Sequence, residues 1–147
     1  MSWLLDTSIL IGTIHAGDPR QAAALDALAH LLWQSELLCI VPQNIIEFWT
    51  VATRPISANG LGFSIEEAEN EIIQIKAQFE LKPEDETIFE NWENLVKTYR
   101  VSGKPTHDAR IVAAMQTHGI NNILTFNVAD FKRYSNIISV YAPQDII

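Results

Sequence analysis

Trp3-Leu4-Leu5-Asp6-Thr7-Ser8 opens the chain, and the apolar stretch Ile9-Leu10-Ile11 follows it. Three apolar residues running into an acid predict a short buried strand that delivers Asp6 to its C-terminal end. A helix starts at once, with Thr7 or Ser8 as its cap. In open α/β sheets, ligands bind outside the carboxyl ends of the strands. A carboxylate at that place costs desolvation energy unless it caps a helix, pairs with a cation or holds a metal. Asp is also a common helix cap, so Asp6 alone decides nothing. The weight falls on whether other acids converge on the same point.

Working outward, the helix from Ile9 to His15 is broken by Gly17-Asp18-Pro19. Pro19 suits the first turn of a second helix, Arg20 to Ser35, with Ala22, Leu25, Leu28, Ala29 and Leu32 on one face. Leu37 to Val41 is a continuous apolar run of strand length, the kind buried on both faces of a parallel sheet. Pro42 ends it, and a helix from Gln43 to Thr53 stops before Pro55. Ile56 to Phe63 reads as a loop. Ser64-Ile65-Glu66-Glu67 is a capping box that opens a helix to Phe79. Phe79-Glu80-Leu81 is a candidate short strand, and Glu84 to Tyr99 a further amphipathic helix. After a loop from Val101 to Pro105, Thr106 caps a helix through His118 that Gly119 closes. Ile123 to Phe126 and Ile137 to Tyr141 are the last strands. Strands alternating with helices predict an α/β parallel sheet, and no repeat or linker divides residues 1–147, so one domain is expected.

The bulk numbers fit that reading. With 147 residues the chain can build one sizeable core. No apolar run approaches the ~18 residues of a membrane span, and the start lacks a signal-peptide pattern. Cys39 is the single cysteine and is expected to be a buried thiol. Trp33, Trp49 and Trp92 are expected in the core. These features point to a cytoplasmic protein without a membrane partner. The net charge of −8 argues superficially against a nucleic-acid partner, but its distribution is uneven. Residues 1–96 carry a net −11 and residues 97–147 a net +3, and ten acids lie between Glu66 and Glu93. That acidic run is expected on solvated helix faces.

Three further acids fall at telling places. Glu47 lies in the first turns of the helix after the second strand, among apolar neighbours. Asp108 is at the second helical position if Thr106 caps, where the helix dipole favours an acid. Asn127 and Asp130 follow the strand that ends at Thr125-Phe126. In a parallel α/β sheet the strand C-termini and the N-termini of the following helices share one edge. The acids therefore converge, and several carboxylates in one pocket repel unless protonated or bridged by a cation. Oxygen-only ligands favour Mg²⁺ or Mn²⁺, which can activate water and stabilise charge on a phosphodiester. The four histidines show no ligand spacing. An aspartate-nucleophile phosphatase would need a second Asp two residues after Asp6, where Ser8 stands.

Leu4-Leu5-Asp6-Thr7-Ser8, the Glu47 helix, His107-Asp108-Ala109-Arg110-Ile111-Val112-Ala113-Ala114 and Leu124-Thr125-Phe126-Asn127-Val128-Ala129-Asp130-Phe131 follow one another in an order that resembles PIN-domain ribonucleases. The likeness is closest to the toxin subunits of bacterial VapC-type toxin–antitoxin pairs. The resemblance implies a PIN-like parallel sheet flanked by helices and Mg²⁺- or Mn²⁺-dependent endoribonuclease activity. It further implies a homodimer and neutralisation by a cognate antitoxin. By position, Asp6, Glu47 and Asp108 match the metal-holding acids, with Thr7 and Ser8 beside the first and Thr125 as the supporting Thr. Family members often carry an acid two residues after that Thr. Here the position is Asn127, and Asp130 three residues later is the candidate replacement, reaching the metal through water. Lys104, Arg110, Lys132 and Arg133 flank the site in sequence and are candidate phosphate contacts. The alternative reading is a catalytically inactive PIN-fold module that binds RNA or a protein.

Overall fold

Residues 1–146 are described by the computed structural model. The opening apolar run is the middle of its sheet. Strand β1 (Ser2–Leu5) pairs in parallel with β2 (Leu37–Ile40) on one side and with β4 (Asn122–Leu124) on the other. The short β3 (Glu80–Leu81) and β5 (Ser139–Tyr141) add parallel edges, for the order β3-β2-β1-β4-β5. Alternate residues of β1 enter opposite layers, as the period of two requires. Trp3 and Leu5 join one buried cluster and Leu4 the other.

An all-parallel sheet must be covered on both faces. The layer around Leu5 comes from α1 (Thr7–Ile14), α2 (Pro19–Trp33), α3 (Pro42–Thr53) and α4 (Ile65–Gln78). The layer around Leu4 comes from α5 (Glu86–Thr98), α6 (Pro105–His118) and Phe131 of the one-turn α7 (Val128–Phe131). Cys39 is buried in that second layer. No helix among the described residues is long and apolar enough to cross a membrane.

Several local expectations are corrected. Asp6, not Thr7 or Ser8, occupies the N-cap of α1, and its side chain makes no capping bond. Lys104 rather than Thr106 precedes the first turn of α6, because Pro105 already suits the first helical position. Strand β4 stops at Leu124, which leaves Thr125 and Phe126 beyond the sheet edge, and α7 lies in what the sequence leaves as a turn. The buried face of α2 is Ala24, Ala27, Leu28 and Leu31 instead of the stripe through Leu25 and Leu32. This helix is apolar on most sides, so packing selects its face. Ala24 faces Gly12 of α1, where an added Cβ would lie in ordinary contact, 3.6 Å from Ala24 Cβ. Trp33, at the end of α2 and off that face, is 88% exposed rather than core.

After α3 the chain folds back on itself. Gly60 N donates to Pro55 O (2.9 Å), Gly62 N to Arg54 O (2.9 Å) and Phe63 N to Ala52 O (2.8 Å). A Cβ on Gly60 would overlap the Arg54 carbonyl, and backbone cannot step aside as a flexible side chain does. Gly60→Ala is therefore expected to cost ~1–3 kcal/mol, the scale of overpacking strain. The check is a urea midpoint measured beside the parent. An unchanged midpoint would contradict the close approach.

Candidate active site

The fold brings the C-terminal ends of β1 and β4 beside the N-termini of α3 and α6. Asp6 is buried at the end of β1, with its amide donating to Leu124 O of β4 (3.0 Å). Among the described residues its carboxylate has no ion-pair partner. Two hydroxyls bond the same oxygen instead: Ser8 Oγ to Asp6 Oδ2 (2.7 Å) and Thr125 Oγ1 to Asp6 Oδ2 (2.7 Å). Thr125 Oγ1 in turn accepts from Asn127 N (2.8 Å), and Ser8 Oγ accepts from Phe126 N (3.1 Å). The loop after β4 is thus pinned to the Asp6 carboxylate through two hydroxyls. Burial pushes the Asp6 carboxyl above the ordinary value. The Ser8 and Thr125 hydroxyls oppose that shift without cancelling it, and the Glu47 charge adds to it.

Glu47 is held from both sides. Thr7 Oγ1 donates to Glu47 Oε1 (2.7 Å), and Gln43 Nε2 donates to Glu47 Oε2 (3.0 Å). Gln43 Nε2 also donates to His107 O in the first turn of α6 (2.8 Å), so one buried amide ties α3 to α6. Asn44, fully buried, donates to Thr7 Oγ1 (3.3 Å) and accepts from Val41 N (2.9 Å). Neither Gln43 nor Asn44 stands out in the sequence. The one signal for Gln43 is its spacing of four from Glu47 at a helix start.

Asp108 sits in the first turn of α6, half-buried. Its pKa is raised to about 7, by burial first and then by the charges of Asp130, Asp6 and Glu47, against a smaller opposing effect of Arg133. Asp130 is exposed in α7, and Asn127 precedes that helix without a side-chain capping bond. Asp6, Glu47, Asp108, Asp130, Asn127, Thr7 and Ser8 all line one open cleft of about 1020 Å³. Thr125 lies beneath it, fully buried against Asp6.

The basic residues divide. Lys104 and Arg110 line the cleft, as do Arg20 and Arg54, whose place so early in the chain hides them from a reading of sequence neighbours. Lys132 and Arg133 are exposed outside its lining. Arg110 is already engaged, with Nη2 donating to Glu84 Oε2 (2.7 Å) and Nη1 to Gln43 Oε1 (3.4 Å).

None of Asp6, Glu47, Asp108 and Asp130 is in an ion pair among the described residues. Nor do three acids there close into a compact cage. They stand around open walls, and beyond burial the neighbouring acids add to the raised pKa of Asp6 and Asp108. A hard divalent cation fits this donor set, since Mg²⁺ keeps several waters and needs only one or two direct carboxylates.

A family model described as PIN domain matches residues 3–137. Among solved structures, the fold is similar to VapBC-1 from nontypeable Haemophilus influenzae (TM-score 0.72, 16% identity, 98% of this chain and 99% of that chain covered). It is also similar to the sarcin–ricin-loop-cleaving toxin VapC20 of Mycobacterium tuberculosis (TM-score 0.64, 22% identity, 88% and 93% covered). A toxin–antitoxin complex from Klebsiella pneumoniae aligns with TM-score 0.63 at 22% identity, covering 95% and 96%. Comparison with curated proteins finds no match.

The raised Asp108 pKa has a consequence for the metal-free protein. Below the ordinary carboxyl value of 3.8 the group is protonated both folded and unfolded, and no penalty applies. As pH rises toward about 7 the unfolded chain ionises first, so the folded state loses stability, and above about 7 the loss is complete. In EDTA, Asp108→Asn is expected to flatten the decline of thermal midpoint between these limits and to exceed the parent at pH ~8. Parallel profiles for the two proteins would show that Asp108 carries no such strain.

Proposed function

Because the chain belongs to the PIN domain family, matched over residues 3–137, we propose that it is a divalent-metal-dependent endoribonuclease and the toxin subunit of a VapC-type toxin–antitoxin pair. The observation that carries this reading is the set of four carboxylates on one cleft, Asp6, Glu47, Asp108 and Asp130, with no cation among the described residues paired to any of them. Asp6, Glu47 and Asp108 are the residues to hold Mg²⁺ or Mn²⁺, and Asp130 faces the outer water shell. When bound, such a cation supplies an activated water and neutralises charge on the phosphodiester.

The chain's own groups do the rest. Ser8 and Thr125 occupy one oxygen of Asp6 and so fix its rotamer. Thr7 and Gln43 hold Glu47 at both oxygens, and Gln43 sets the spacing of α3 from the helix that bears Asp108. Arg54 and Lys104, unpaired among the described residues, are free to contact RNA phosphates at the rim. Arg110, held by Gln43 and Glu84, serves the frame of the site. Lys132 and Arg133 approach RNA only outside the cleft, and Arg133 also favours the ionised form of Asp108.

The toxin reading is supported by neighbours named as VapBC and toxin–antitoxin complexes, and the choice of RNA by one named for cleaving the sarcin–ricin loop. A homodimer and a protein antitoxin belong to the same proposal.

Asp6→Asn, Glu47→Gln and Asp108→Asn are each expected to abolish Mg²⁺-dependent RNA cleavage with circular dichroism unchanged. Asp130→Asn should retain cleavage at a higher Mg²⁺ midpoint, and Asn127→Asp should lower that midpoint. Full activity in any of the first three would sink the assignment. A PIN-fold module without catalysis would instead show RNA binding and no metal-dependent cleavage by the parent. Light scattering at micromolar concentration should give twice the chain mass. A monomer would remove the dimer from the proposal.

A further inference from the structure

Arg20 is built into the cleft wall in a way that suits an uncharged ring better than a phosphate. It stands at the second position of α2, half-exposed, and lines the cleft with Asp6 and Ser8. Its guanidinium carbon lies 5.4 Å from the centroid of the Phe126 ring. Its edge is held by Asp18, with Nε donating to Oδ1 (3.3 Å) and Nη2 to Oδ2 (3.3 Å), and Asp18 is itself anchored by accepting from Arg20 N (2.8 Å). The supporting ring is fixed too. Phe126 N donates to Ser8 Oγ, the hydroxyl that bonds Asp6. Gly12 leaves the space the ring fills, since a Cβ there would come within 2.9 Å of Phe126 Cε2.

Asp18 neutralises much of the Arg20 charge and would repel a phosphate, and His15 Nδ1 lies 3.2 Å from the same carboxylate. What remains available is the plane of the guanidinium. Unpaired RNA bases stack on Arg planes and aromatic rings, and such stacking tolerates any base. We propose that Arg20, backed by Phe126 and braced by Asp18, is a stacking platform for an unpaired base next to the phosphodiester held at Asp6. The substrate segment is therefore single-stranded at that nucleotide. This inference rests on the ribonuclease reading above.

The test uses the full chain in EDTA, so that no RNA is cut. Short single-stranded RNAs carry one 2-aminopurine stepped through each position, and its fluorescence and the Kd are read with the parent, Arg20→Ala and Arg20→Lys. The parent should quench the probe at one or two adjacent positions. Both variants should lose that quenching and bind on the order of tenfold more weakly, since Lys keeps the charge and lacks the plane. Arg20→Lys matching the parent while Arg20→Ala fails would mean charge alone and would overturn the platform. So would quenching and affinity unchanged in both variants of a parent that binds RNA and, with Mg²⁺, cleaves it, and there the ribonuclease reading would stand. A parent that neither binds nor cleaves any of these RNAs would overturn both.

Discussion

A buried carboxylate that no cation among the described residues pairs is the constraint around which this site is arranged. Asp6 must leave water because β1 is the central strand of a parallel sheet covered on both faces. Taking an ionised carboxylate out of water is expensive, and an ordinary solution is a salt bridge. Here two hydroxyls bond one of its oxygens, and its pKa stays raised. Those hydroxyls come from opposite ends of the chain, so the demands of one acid join α1 to the loop after β4. The same hydroxyls accept from Phe126 N and Asn127 N, which places the start of α7.

Glu47 repeats the arrangement with different partners. A hydroxyl takes one oxygen and an amide the other, and the amide reaches on to the backbone of α6. Three helices and one strand end are therefore fixed relative to one another by groups that carry no formal charge. Among the described residues none of the four acids is ion-paired, a condition a divalent cation relieves. While no cation is bound the cost is shared by Asp6, raised by burial, and by Asp108, raised to about 7 by burial first and then by the neighbouring acids.

The acidic run from Glu66 to Glu93 lies almost wholly off the cleft. Of the ten acids between Glu66 and Glu93, only Glu84 lines it, and that one is bonded to Arg110. Arg20, Arg54, Lys104 and Arg110 share the cleft with the site acids. A net charge of −8 is thus compatible with a nucleic-acid partner, because local charge within a Debye length governs contact, and distant carboxylates are screened.

The order and type of the major elements were legible from periodicity and from Pro, Gly and capping residues, and so was the meeting of Asp6, Glu47 and Asp108. Parallel strands followed by helices put their reactive ends on one edge whatever the details. Element ends were legible to within a few residues, and the one-turn α7 was not, since four residues are too few to show a period. The exposed Trp33 and the rotated face of α2 were not legible either. A helix apolar on most sides carries no preferred face of its own, and packing into the core buries the one with Ala24, Ala27, Leu28 and Leu31. Tertiary structure alone decided that Thr7 serves Glu47 while Ser8 serves Asp6, that Gln43 bridges two helices, and that Arg20 rests on Phe126. The physical reason is range. Patterning is local, whereas the Thr7–Glu47 bond spans 40 residues and the Thr125–Asp6 bond 119, and such partners meet only once the sheet has formed.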